Sequence, residues 1–295
     1  MYYENEEGYL KLLKDTLEEG EEIETRNGKT ISKFCNLLKF EKIENLPLLT
    51  TKKIYYKGVI EELLWFLQGS VDANILKDKK VNIWNGNSSR EYLDNNGFID
   101  YKEGELGPIY GWQWRKFGKK YKKEGDKEGV DQIKYVIEEL SKPNNSRRAV
   151  LSGWNPLQLS EMALPPCHIL YTFYKNKEGL SCLMTLRSSD LFLGLPFNIA
   201  STAILTHIIA KVLKINVNSI GIAISDGHIY EEHKEAVNIQ ISREIYKEKI
   251  KLKIESENNI GETIEEKINW INNLKYEDFK IENYKFHEKI NAEMK

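Results

Sequence analysis

Leu164-Pro165-Pro166-Cys167-His168 is followed, one strand-length on, by Arg187-Ser188-Ser189-Asp190 and then by Gly194-Leu195-Pro196-Phe197-Asn198. A thiol acts as a nucleophile only as thiolate, and a cation such as Arg187 favours that form. The same guanidinium can fork onto phosphate oxygens. The block therefore reads as a nucleophile facing a phosphate site. Successive side chains on a strand point to opposite faces, so the adjacency of Cys167 and His168 does not make a Cys–His dyad, and His168 stands behind the reacting groups. His207, His233 and His287 show no metal-ligand spacing.

The elements that must position these residues follow from periodicity. Tyr9 to Glu18 predicts an amphipathic opening helix. Gly58 to Leu67 is apolar nearly all round, so a buried helix is expected there, ended by Gln68-Gly69, with Glu62 as a carboxylate out of place. Val130, Ile133, Val136, Ile137 and Leu140 keep helical spacing ahead of Pro143. The period then changes. Arg148 to Trp154, His168 to Tyr174 and Leu180 to Leu186 predict strands, the last two forming a hairpin through Lys175 to Gly179. Ile199 to Leu213 predicts a central buried helix, and Ser219 to Tyr230 returns to strand character. Strands and helices in unequal blocks indicate an α+β fold, a mixed β-sheet packed with helices.

The chain has 295 residues, 41% hydrophobic and 30% charged, with a net charge of −2. That suits a soluble globular protein, and with no linker, repeat or low-complexity block one domain, 1–295, is expected. The charge gives no global field for nucleic acid, although a nucleotide pocket needs only local positive charge. Three cysteines without C-x-x-C spacing suit neither a disulfide framework nor a zinc site, and point to a reducing, cytoplasmic setting. The acidic start MYYENEEGYL shows no signal peptide, and no apolar run is expected to reach membrane-spanning length.

LPPCHILYTFY and LRSSDLFLGLPFNIAS resemble the active-site core of the thymidylate synthase family. So do LLTTKK (from Leu48), EELLWFLQG (from Glu61), Ile83-Trp84, LGPIYGWQWR (from Leu106), Ser146-Arg147-Arg148, Trp154-Asn155-Pro156 and SDGHIY (from Ser225), in order from about Arg26 to about Ile290. The resemblance implies reductive methylation of deoxyuridine monophosphate (dUMP) with methylenetetrahydrofolate as co-substrate, donor of both carbon and hydride, and with no metal and no flavin. No R-H-R-x-x-S element of the flavin-dependent enzymes is present. By that resemblance Cys167 adds to carbon 6 of uracil, Glu62 works through water on the uracil oxygen, and Tyr110 assists proton removal at carbon 5. Arg26, Arg187 and Ser188 hold the phosphate, together with Arg147 and Arg148 from a second subunit, which implies a homodimer formed through the sheets. His228 and Tyr230, two apart on a strand and so on one face, suit a ribose hydroxyl. Asn198 offers one donor and one acceptor to the uracil edge, a pattern that cytosine reverses. Trp84, Asp190, Gly194 and Lys52 fall on the folate side, Asp190 at the pterin ring and Lys52 at the tail carboxylates.

Seen alone, each residue has a plainer reading. A single cysteine is commonly a small buried hydrophobe, paired arginines a solvated face, Asn198 a helix cap and Trp84 or Tyr110 packing. Their joint occurrence decides for function. The chain departs from the family pattern in a shorter arginine loop (RNGKTIS), in Leu186 for Gln, in Ser225 for Gly, and in the tail YKFHEKINAEMK, which lacks the family's Pro-His-Pro element. A tail that closes poorly admits water, which would yield a 5-hydroxymethyl nucleotide. A nucleotide hydroxymethylase is thus the nearest alternative. A non-catalytic RNA-binding homologue is a more distant one, opposed by the retained thiol and arginines.

Overall fold

In the computed structural model, which describes residues 1–25, 27–122 and 128–293, the chain runs β1 (Tyr2–Glu4), α1 (Asn5–Glu19), β2 (Glu21–Thr25), β3 (Gly28–Glu41) and α2 (Tyr56–Leu67). The short helices α3 (Asn74–Asp78), α4 (Asn85–Ser88) and α5 (Arg90–Asn95) come next, then α6 (Tyr110–Lys116), α7 (Gln132–Ser141), β4 (Val150–Ser152), β5 (His168–Asn176) and β6 (Gly179–Asp190). It ends with α8 (Gly194–Leu213), β7 (Val217–Tyr230), α9 (Lys234–Ile241), β8 (Lys251–Ile254), α10 (Ile264–Asn272) and β9 (Phe279–Glu282). By contact the residues fall into two units, one of Met1–Tyr56, Phe173–Glu255 and Phe279–Lys295, the other of Lys57–Thr172 and Ser256–Asp278, with β5 running from the second into the first.

The first unit is built on a mixed sheet in the order β1-β3-β7-β6-β5, with β2 on the same edge of β3 as β1. β1 and β3 are parallel, β3 and β7 antiparallel, and β6 and β7 parallel. Helix α1 packs on β3 and α8 on β6 and β7, burying Leu12, Leu13, Leu38, Met184, Leu186, Ile204, Ile208, Ile222 and Ile224. This bears out the α+β expectation of a mixed sheet packed with helices.

One row of this sheet turns its side chains over. Leu186 pairs with Ile224 and Ser188 with Asp226, while Asn36 pairs with Ile224 and Phe34 with Asp226; Arg187, Ser225 and Cys35 drop out of the ladders at that level. Cys35 takes φ 62°, which L-residues adopt rarely. Before the row the buried positions include Met184, Leu186, Ile222 and Ile224; beyond it they are Ser189, Gly227 and Ile229, with Tyr230 buried at the end of β7. Strand side chains alternate strictly, so this change of parity re-aims everything downstream. Ser188, Asp190, Asp226 and His228 thereby leave the core face together.

In the second unit Arg115 of α6 ties three helices. Its Nε and Nη2 donate to Asp131 at 3.0 and 2.7 Å, and Nη1 donates to Asn272 Oδ1 at 2.6 Å and to the Leu67 carbonyl. Asp131 also caps α7, accepting from Ile133 and Lys134 N–H. Val130, expected inside that helix, lies before the cap and is exposed. Gly69 at φ +70° closes α2 as expected: its N–H donates to Phe66 O, and Ser70 N–H to Trp65 O, the paired bonds of a glycine C-cap.

Two further expectations are corrected. The strand foreseen over Arg148 to Trp154 shrinks to Val150–Ser152: the Gln132 side-chain amide takes both the N–H and the carbonyl of Ser152 on one edge, at 2.9 and 2.8 Å, and past Ser152 the Gly153 N–H adds a last bond to Ile169 O at 2.9 Å. Among the described residues α8 is long and apolar enough to cross a membrane, against the expectation of no such run; 72% of its apolar window is buried, as in a core helix. It starts at Gly194, earlier than Ile199, since Pro196 fits a first helical turn where its missing N–H costs nothing.

Candidate active site

In the second unit, Cys167 stands half-buried just before β5, and its backbone N–H donates to the Tyr110 hydroxyl at 2.7 Å. Tyr110 opens α6 and stacks on the His168 ring, centroids 4.0 Å apart. Burial, then the neighbouring Cys167, raises the Tyr110 phenol well above its ordinary value, so it is protonated at neutral pH. His168 is itself buried, bonded through Nδ1 to the Tyr171 hydroxyl at 3.0 Å, and burial pushes its pKa down to about 3. The ring is a neutral support under Tyr110, a role that its sequence position behind the thiol anticipates.

Glu62 projects from α2 toward Trp84, whose indole N–H donates to its Oε1 at 2.7 Å. Trp65, Trp84, Phe66 and Tyr110 pack ring against ring around this pair. Burial raises the Glu62 carboxyl to about 7, and the indole bond opposes that shift only in part. A carboxyl poised near neutrality can give or take a proton at working pH. Arg147 and Arg148 are exposed on the loop after α7, where the Arg148 N–H donates to Ser146 Oγ at 3.1 Å. The Gly-Trp-Gln-Trp and Trp-Asn-Pro motifs serve structure: Asn155 Nδ2 donates to Gln113 Oε1 and Gln158 Oε1, and Gln113 Nε2 donates to Gln158 Oε1 and to Pro108 O.

In the first unit, Arg187 and Ser188 lie on β6 beside Asp226 and His228 of β7. Ser32 Oγ donates to Asp226 Oδ1, Ser188 Oγ lies 3.4 Å from Oδ2, and His228 Nδ1 lies 3.6 Å from Oδ2. Asp226 and Ser32 were not singled out from the sequence, although Asp226, His228 and Tyr230 share one strand face by alternation. The His228 and Tyr230 rings meet edge to face at 5.3 Å. Arg26 falls outside the described residues.

Asp190 Oδ1 accepts from the N–H groups of Phe192 and Leu193 at 2.8 and 3.1 Å, fixing the turn into α8. Asn198 sits inside the first turns of that helix and is not its cap. Its carbonyl accepts from Thr202 Oγ1 at 2.7 Å, and among the described residues its side-chain amide makes no hydrogen bond. Lys52 is turned inward: it is 6% exposed, its ammonium donates to the Phe192 carbonyl, and it lies 3.6 Å from the Phe192 ring centroid. Burial lowers it to about 7 against the pull of Asp190. It is not presented at the surface, where a folate tail would meet it.

Over its described residues the tail is held at four points. Tyr284 Oη donates to Leu49 O at 2.8 Å, His287 N–H donates to Thr50 O at 2.8 Å, Arg243 donates to Glu288 O at 2.7 Å, and His233 Nε2 meets Glu293 O at 2.8 Å. The His233 ring packs 5.5 Å from Tyr230.

A thiol, a carboxyl poised near neutrality and an arginine–serine strand on a mixed-sheet α+β fold are the parts that nucleophilic catalysis by an enzyme needs. The family model for thymidylate synthase matches residues 7–295. The chain is 45% identical over 304 residues to the thymidylate synthase of Saccharomyces cerevisiae, covering 98% of this chain and 96% of the yeast protein. It is 42% identical to the bifunctional dihydrofolate reductase-thymidylate synthase of Paramecium tetraurelia, of which it spans 61%, and 46% identical to that of Leishmania major, of which it spans 47%. The chain belongs to the thymidylate synthase family.

Proposed function

We propose that the protein makes thymidylate from dUMP, and that Cys167 is the nucleophile; the Tyr110–Cys167 bond, with the Glu62 carboxyl held near neutrality, is the observation that carries this reading. The Cys167 thiolate adds to carbon 6 of uracil, turning carbon 5 into a carbon nucleophile. Glu62, its carboxyl raised to about 7 by burial, relays a proton through water to the uracil oxygen as charge builds there. Tyr110, being a phenol, serves proton removal at carbon 5 by orienting water with its hydroxyl and not as a phenolate. Methylenetetrahydrofolate, when bound, supplies the one-carbon unit and the hydride. Asp190 and Gly194 suit its pterin: Asp190 keeps its second oxygen for an amino group, and a Cβ added at Gly194 would meet nothing nearer than Asp190 Cβ at 3.7 Å, leaving room for a flat ring. Arg26, Arg187 and Ser188 take the phosphate, His228 and Tyr230 the sugar, Asn198 the base edge, with Trp84 on the folate side; Lys52, turned inward, takes no part in holding the folate tail.

Incubation with 5-fluoro-dUMP and methylenetetrahydrofolate tests the nucleophile, because fluorine at carbon 5 blocks the proton removal that releases the enzyme. A covalent adduct on the Cys167 peptide is expected; none, or one on another residue, overturns the assignment. Asn198→Asp is expected to shift preference toward the cytosine nucleotide, read as the ratio of kcat/KM for the two bases, and an unchanged ratio removes Asn198 from base recognition.

A homodimer in the cytoplasm completes the reading. The sheet leaves Phe34, Tyr174 and Leu183 78, 56 and 41% exposed, apolar area that supports burial against a second copy, and none of the three cysteines is in a disulfide. With Arg147 and Arg148 lent across that interface, Cys167→Ser and Arg147→Ala proteins, each inactive alone, regain activity when their subunits are mixed. Failure of the mixture to recover activity contradicts the exchange.

A further inference from the structure

Three groups from three strands of the first unit converge on Asp226 of β7: Ser32 on β3, Ser188 on β6 and His228 on β7. The strand registers bring them together, with Ser32 opposite His228 and Ser188 opposite Asp226. Only one of these groups has a state to be chosen. A neutral imidazole carries its proton on Nδ1 or on Nε2, and the neighbour of one nitrogen decides.

His228 Nδ1 has two neighbours, Asp226 Oδ2 at 3.6 Å and Ser188 Oγ at 3.5 Å. An ionised carboxylate can only accept. Asp226 is held in that form, its carboxyl kept below the usual range by the His228 contact first and by Ser32 and Ser188 as well, against the effect of partial burial. A bare Nδ1 would set lone pair against lone pair at this distance. The serine hydroxyl cannot relieve that clash, because it too points best at the charged oxygen. Ser32 meanwhile holds the other carboxylate oxygen, so the group cannot rotate away without losing a bond.

We infer that Asp226 is a positioning residue that keeps the His228 proton on Nδ1, leaving Nε2 bare as an acceptor for a nucleotide sugar hydroxyl. The inference rests on the reading of His228 as a sugar contact and adds what that reading lacks, a direction for the hydrogen bond. The sugar hydroxyl donates and the ring accepts. A nucleotide whose 3′ position bears no hydroxyl leaves Nε2 unmatched, and the loss is felt only while Asp226 fixes the ring.

Binding of dUMP and of 2′,3′-dideoxyuridine monophosphate to the full chain separates the possibilities. The wild type is expected to favour dUMP by about tenfold, the size of one hydrogen bond. Asp226→Ala lets Nε2 take the proton, and the preference is expected to shrink to about twofold or less. Asp226→Asn, whose amide oxygen still accepts from Nδ1, is expected to restore most of it. A merely structural Asp226 would weaken both nucleotides alike in Asp226→Ala and leave the ratio standing, which overturns the inference while dUMP binding itself survives. Equal binding of the two nucleotides by the wild type overturns the sugar reading of His228 and the inference with it. Nitrogen NMR of the histidine side chains in the unmutated protein, with the His228 signals assigned through His228→Gln, does not depend on the alanine variant folding. A protonated Nδ1 and a bare Nε2 are expected, and the opposite tautomer refutes the proposal.

Discussion

Cys167→Ser is expected to lower turnover by roughly a thousandfold or more while dUMP affinity stays within a few-fold. The two effects part because the side chain acts only once the ring is attacked. A hydroxyl gives up its proton far less readily than a thiol and is the poorer nucleophile toward carbon 6, whereas phosphate, sugar and base edge are held by other residues. Steady-state kcat beside the equilibrium binding constant for dUMP reads both. Turnover near normal would take the nucleophile role from Cys167; lost binding with lost turnover would make the thiol a structural element.

Glu62→Gln carries the second large effect, and its sign differs between activity and stability. Turnover is expected to fall on the order of a hundredfold, with loss of the pH limb that the carboxyl sets near 7. Glutamine cannot relay a proton, although it can still accept the Trp84 indole N–H. Stability moves the other way. The folded carboxyl keeps its proton up to about 7, whereas an unhindered one releases it near 4.5, so the folded state binds more protons across that window. Stability from this group is therefore complete below the lower value and is lost as pH rises through the upper one. Above it the ionised carboxyl is a net cost of at most on the order of 3 kcal/mol, which the neutral amide avoids. Denaturant midpoints of wild type and Glu62→Gln should coincide near pH 4.5, within about 0.5 kcal/mol, and diverge in favour of the variant near pH 8. A variant less stable at both values would show that Glu62 is ionised and well satisfied in its place.

Much of this architecture could be read from residue order alone, and the exceptions share a cause. α2 and its glycine end were legible because apolar content and Gly69 are local signals. So were β5, β6 and the hairpin joining them. Val130 was misassigned because helical spacing continues past a cap; only the Asp131 side chain, turned onto the N–H groups of Ile133 and Lys134, marks the true start. The strand over Arg148 to Trp154 was overdrawn because one edge of it at Ser152 meets the Gln132 side chain in place of another strand, which no strand pattern announces.

Within the candidate site the legible part was residue type. Cys167, Arg187, Asn198, His228 and Tyr230 stand out by motif, and the strand placement of His228 and Tyr230 holds. Environment was not legible. Neither the ring packing that raises Glu62 nor the inward turn of Lys52 leaves a mark in residue order, because each depends on residues far along the chain. The row at Cys35, Arg187 and Ser225 is the clearest case, since alternation read straight through would have kept Asp226 on the core face.

The most direct test of the central claim is the mass of the product formed from dUMP and methylenetetrahydrofolate, followed together with dihydrofolate absorbance. Thymidylate with one dihydrofolate per turnover is the expected result, and it would show that hydride reaches the exocyclic carbon before water does. A nucleotide heavier than thymidylate by one oxygen, formed without dihydrofolate, would contradict the account and make the protein a hydroxymethylase.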